Sequence, residues 1–95
     1  MAELIYSAGA LADLERVSDF LRASHPVQAD ETAALIVEAL ALLRRHPLVG
    51  RRRGRLRELV VSRGSSGYVA AYTFDPTRDV VKVLRIRHQR EVGSD

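Results

Sequence analysis

The sequence predicts an α+β domain: an N-terminal strand, a two-helix hairpin, then a three-stranded antiparallel meander, with both helices packed on one face of the sheet. Three observations predict it. Residues 57–63 (RELVVSR), 68–74 (YVAAYTF) and 79–88 (DVVKVLRIRH) are β-rich runs joined by hairpin-length connections. Two stretches ahead of them carry apolar residues at helical spacing. The 95 residues allow one small core, so a single domain over 1–95 is expected.

Leu4-Ile5-Tyr6 is short and apolar and reads as an edge strand. Ser7 follows as a helix N-cap, its hydroxyl placed to accept a free amide of the first turn. From Ala8 to Ser24, Leu11, Leu14, Val17 and Leu21 recur at steps of three and four, with Phe20 beside them. Asp13 and Glu15 lie near the helix start, where the dipole favours negative charge. His25-Pro26 ends this helix, because a residue before proline is pushed out of the α region.

A second helix is expected from Gln28 to Arg45. It carries two apolar stripes, Ala33, Ile36, Leu40 and Leu43, and beside them Leu35, Ala39 and Leu42. One sheet face needs only one stripe. The second packs on the first helix, and any excess is a groove for a partner's helix. His46-Pro47-Leu48-Val49-Gly50 closes the helical part. Arg51-Arg52-Arg53-Gly54-Arg55 then reads as an exposed loop leading into the sheet.

Within the strands, alternation puts Arg57, Leu59, Val61 and Arg63 on one face, and Tyr68, Ala70, Tyr72 and Phe74 on one face. In the last strand Arg85 and Arg87 oppose Leu84, Ile86 and His88. Apolar residues on both of its sides predict that it is central in the sheet. Gly64-Ser65-Ser66-Gly67 reads as a turn, and the tail 89–95 as flexible.

The charge is distinctive. Net charge is +3, and of fifteen basic residues only Lys82 is a lysine. Eight arginines fall between Arg44 and Arg63, opposed by Glu58 alone. Arginine's planar fork suits phosphate and carboxylate, so an acidic partner, nucleic acid or protein, is expected. There is no cysteine, hence no thiol or disulfide chemistry. No apolar run nears the roughly 18 residues of a membrane helix, and a cytoplasmic protein is the expectation. The three histidines have no metal-ligand spacing, so neither a metal nor another cofactor is expected. A general acid–base ribonuclease would need a base, an acid and cations for the phosphorane, parts that His88, Arg87, Arg57 and Tyr72 would supply. The same arginines with one histidine equally make a docking patch without catalysis.

The order of elements, with Ala12-Asp13-Leu14, His46-Pro47 to Gly50-Arg51, Tyr68, Tyr72 and Val83-Leu84-Arg85-Ile86-Arg87-His88, resembles the ParE/RelE superfamily of bacterial toxin–antitoxin toxins across nearly the whole chain. The resemblance implies one of two activities: RelE-like members cleave mRNA on the ribosome, and ParE-like members poison DNA gyrase. The RelE-like pattern has lysines on the strand before the SSGY turn, an arginine after its tyrosine, and a C-terminal tyrosine. This chain has Val60 and Ser62, then Val69, and no tyrosine after His88. The ParE-like branch is therefore expected: a gyrase inhibitor with no catalytic residues. Arg51, Arg52, Arg53, Arg57, Arg87, His88 and Arg90 would contact the target. A ParD-like antitoxin would lie beside Leu14, Val17, Leu21, Leu35 and Leu42. Another ribonuclease branch uses a histidine near the end of the last strand, which keeps His88 in an mRNA endoribonuclease alternative.

Overall fold

The chain starts by building an edge. β1 (Glu3–Tyr6) runs parallel to the final strand, β5 (Val80–His88), pairing Leu4 with Val81 and Tyr6 with Val83. Parallel neighbours need a long crossover. It is supplied by α1 (Ala8–Ser24), α2 (Ala29–Ala41), a 3-10 turn (Leu42–Arg44) and the strands β2 (Arg51–Arg53), β3 (Leu56–Arg63) and β4 (Ser66–Asp75). The sheet order is β1-β5-β4-β3-β2, so β4 is central and β5, expected there, lies second from the edge, covered by β1. The computed structural model describes residues 1–63 and 66–89, so the expected turn at Gly64-Ser65 and the tail from Arg90 onward lie outside the described residues.

The expected strand–hairpin–meander architecture is present, with three refinements. First, the arginine run is not a loop. Arg51–Arg53 forms β2, paired antiparallel with β3 through Arg51–Glu58, Arg52–Arg57 and Arg53–Leu56. The reason is Gly54, whose φ of +62° opens a two-residue turn with Arg55 and folds the run back on itself. Three arginines show neither alternation nor β propensity, so pattern alone hides this strand.

Second, the buried stripe of α1 is Ala10, Asp13, Val17 and Leu21, and Leu11 stands outside it, 54% exposed. Ala10 and Asp13 sit where α1 crosses β5, a position suited to small and hydrogen-bonding side chains. Third, α2 ends at Ala41 and tightens into the 3-10 turn instead of continuing to Arg45.

β5 breaks its own alternation. The β4–β5 register slips between Ala71 and Tyr72: Ala71 pairs with Arg85, but Tyr72 pairs with Val83, leaving Leu84 extra. This bulge lets Val81, Val83 and Ile86 all reach the core, where each is fully buried. A strict period of two would send one set outward.

The core lies between the sheet and the helices. Ile36, Leu40 and Leu43 meet Tyr72, Val81, Val83 and Ile86, all with essentially no exposure. Each such side chain contributes roughly 1.5–3 kcal/mol by leaving water. Leu14, Leu35, Ala39 and Phe74 are half-buried against this cluster. Among the described residues no helix is long and apolar enough to cross a membrane.

Candidate functional site

The basic edge is built from β2, β3 and the loop ahead of them. Pro47 and Gly50 bend the chain after the 3-10 turn, and Tyr72 straps that bend to the sheet. Its buried hydroxyl donates to the Pro47 carbonyl at 2.9 Å and accepts from the Gly50 amide at 2.8 Å. Gly50 is required there, since a Cβ would lie 2.5 Å from the Tyr72 hydroxyl oxygen. Arg57 locks the same loop, its Nη1 donating to the carbonyls of Leu48 at 3.2 Å and Gly50 at 3.0 Å.

On one face of the hairpin Arg53 meets Glu58 at 3.4 Å. On the other, Arg52 stands directly across from Arg57. No carboxylate pairs with Arg52, Arg55 or Arg57 among the described residues. These three arginines, with Leu48, Phe74 and Pro76, line an open pocket of about 330 Å³. Arg55, Phe74 and Pro76 were not among the expected contact residues. Their signal lay in the Gly54-Arg55 hairpin and in the register joining β3 to β4.

His88 ends β5, half-buried, with its ring edge-on to Tyr68 at 5.3 Å between centroids. Burial pushes the Tyr68 phenol above its ordinary pKa. Tyr68 pairs with His88 and Tyr72 with Arg57, four residues apart on β4, so about 13 Å of strand separates His88 from the Arg57–Tyr72 pair. Arg87 pairs with Val69 and faces the opposite side from His88. The structure thus brings Arg51, Arg52, Arg53 and Arg57 to one edge and leaves Arg87 and His88 at the far end of β5. Arg90 lies outside the described residues.

Along the outer edge of β5, polar contacts from the start of α1 finish the sheet. Beyond Tyr6 the β5 edge has no strand partner among the described residues, and Ser7 and Asp13 bond to it instead. The Ser7 amide donates to the Val83 carbonyl at 2.9 Å, and its hydroxyl donates to the Leu84 carbonyl at 3.0 Å. The same hydroxyl accepts from the Ala10 amide, as an N-cap does. Asp13, only 7% exposed, accepts from the Ile86 amide at 2.9 Å and from Arg85 Nε at 2.8 Å. Burial alone raises the Asp13 pKa. The hydrogen bonds from Arg85 and Ile86 and the charges of Arg85 and Arg16 outweigh it, and the net shift is downward.

The residues expected to line an antitoxin groove divide. Val17 and Leu21 are core residues, and Leu14 and Leu35 are half-buried against the core. Leu42 is open, 56% exposed. The apolar side chains that stand out from the helical layer are Leu11, Phe20, Val27 and Val37. Helical spacing groups Leu11 and Phe20 with the buried stripe of α1, and the structure exposes both. Among the described residues no group of three histidines or carboxylates is placed to hold a metal. Chemically, the edge offers three guanidinium groups, that of Arg57 held by two loop carbonyls, beside the apolar side chains of Leu48, Phe74 and Pro76.

The profile of the ParE toxin family of type II toxin–antitoxin systems matches residues 4–93. Toxin RelE3 of Caulobacter vibrioides is 39% identical over 83 residues, covering 86% of this chain and 88% of that one. Among solved structures, the chromosomal ParDE system from P. aeruginosa superposes with a TM-score of 0.74 at 24% identity, over 92% of this chain and 95% of that one. The RelBE2 toxin–antitoxin complex of Mycobacterium tuberculosis gives 0.65 at 26% identity, over 92% and 96%.

Proposed function

The chain belongs to the ParE toxin family of type II toxin–antitoxin systems, and from that premise we propose that it is a cytoplasmic inhibitor of DNA gyrase, silenced by direct binding of a ParD-like antitoxin. The observation that carries this reading is the separation of parts. The Tyr72 hydroxyl and Arg57 Nη1 are committed to the Pro47–Gly50 loop, while His88 lies about 13 Å along the sheet. On the helix-free face Val60, Val69 and Ala71 stand beside Arg87, the register partner of Val69, and Arg85, which is bound to Asp13, while His88 pairs with Tyr68 and faces the other side. Binding needs no such constellation, and the basic edge provides it. Solved neighbours that are toxin–antitoxin complexes support an antitoxin partner.

A second reading, a ribosome-dependent mRNA endoribonuclease using His88, is favoured by the relative named Toxin RelE3. Inducing the protein without its antitoxin separates the two. Under the first reading gyrase cleavage complexes accumulate, and His88→Ala only weakens growth inhibition. Codon-phased mRNA cleavage abolished by His88→Ala would replace it with the second.

A further inference from the structure

We propose that the pocket between Arg52, Arg55 and Arg57 is a nucleotide-sized site for single-stranded nucleic acid, taking the phosphodiester on the guanidinium rim and a base against Phe74 and Pro76. The register is the first argument. Arg52 and Arg57 sit directly opposite on adjacent strands, which places their Cβ atoms about 4.5–5.5 Å apart. Like charges in that position destabilise a hairpin. The single carboxylate of this hairpin, Glu58, serves Arg53 on the opposite face. An anion between Arg52 and Arg57 removes the repulsion.

Preorganisation is the second argument. Two carbonyls hold Arg57 Nη1 in place, and its Nε and Nη2 donors are left over from the five N–H groups of a guanidinium. A phosphodiester can offer one of its two anionic oxygens to each fork; a carboxylate can do the same, so the choice of ligand rests on the rim and the floor. Arg55 at the hairpin turn extends the cationic rim, matching a ligand whose charge repeats along a chain. The floor of the pocket suits a base. Leu48, Phe74 and Pro76 give the pocket apolar walls, and an aromatic face beside cations is how bases are held without reading their sequence. The volume of about 330 Å³ lies within the small-ligand range. This inference rests on the reading that the basic edge is the gripping surface, and it assigns that edge a nucleic-acid strand.

The test titrates the purified full-length protein into a fluorescein-labelled twelve-residue oligothymidine and reads anisotropy across a salt series. Arg52→Ala combined with Arg55→Ala, both exposed positions, should weaken binding about tenfold or more. The double variant should also flatten the dependence of log K on log salt by roughly 1.4, about 0.7 for each lost phosphate contact. Arg16→Ala with Arg22→Ala removes the same charge from α1 and should change affinity by less than about threefold if the site is local. An abasic strand of equal length should bind several-fold more weakly. Arg52→Lys, which keeps the charge but loses the fork, should fall between wild type and the double variant. Equal losses from the α1 pair, equal binding of the abasic strand, or no binding at low salt would each overturn the proposal. Competition by polyglutamate as strong as that of the oligonucleotide would overturn it in favour of an acidic protein ligand. No gyrase is present in the titration, so this site and the gyrase reading fail independently.

Discussion

Asp13 shows how one side chain substitutes for a missing strand. Its carboxylate takes the Ile86 amide that β1 is too short to reach, and Arg85 compensates the buried charge. Asp13→Ala should cost about 1–3 kcal/mol in denaturant unfolding, the penalty of a buried amide without a partner. Because the folded-state pKa lies below the unfolded value of about 3.9, this stabilisation is fully present above that value. It is lost as pH falls through the lower, folded-state pKa. Asp13→Asn should therefore flatten the acid limb of a stability-against-pH curve, and an unchanged limb would disprove the assignment. Tyr72→Phe makes a parallel case. It leaves the Gly50 amide and Pro47 carbonyl without their partner, at about 1–3 kcal/mol, and loosens the loop that Arg57 also holds. A variant as stable as wild type would show that water replaces the hydroxyl without loss.

The helical layer presents two kinds of apolar residue. Leu21 is buried, so Leu21→Ala should cost about 2–5 kcal/mol regardless of any partner. Phe20, its neighbour in sequence, is 62% exposed, and Phe20→Asp should leave stability within about 0.5 kcal/mol. If the antitoxin covers this face, Phe20→Asp should still weaken antitoxin binding about tenfold or more, read by calorimetry. Undiminished affinity would move the antitoxin elsewhere. This contrast marks how far pattern reading goes. The spacing of Ile36, Leu40 and Leu43 and of Tyr68, Ala70 and Tyr72 is a direct record of which face is buried, and the elements were legible from it. Leu11 and Phe20 carry the same hydrophobicity as Leu21, and only the packing of α1 on β5 tells them apart. β2 was illegible because Arg51–Arg53 owe their strand to pairing with β3. The β5 bulge was illegible because slipped register leaves no compositional mark. For the site, the basic run was readable. The pocket was not, since Phe74 and Pro76 reach it only through the β3–β4 register.

For the molecule as a whole, charge is distributed unevenly. A net charge of +3 gathers its arginines at the β2–β3 edge and leaves the α1 cations near carboxylates, Arg16 with Asp13 and Arg22 with Asp19. An acidic partner is thus drawn to one edge, and its association rate should fall about tenfold or more between about 0.01 M and about 1 M salt. A rate indifferent to salt, measured by stopped flow, would mean that capture is governed by apolar docking alone.

The parallel pairing of β1 with β5 has a further consequence for synthesis. Glu3 finds its register partner at Val80, so a nascent chain has to wait for its closing strand before the platform exists. A fragment that stops before Val80 lacks the strand that joins β1 to β4. The seam between β1 and β5 therefore closes only after every other strand of the sheet has been made.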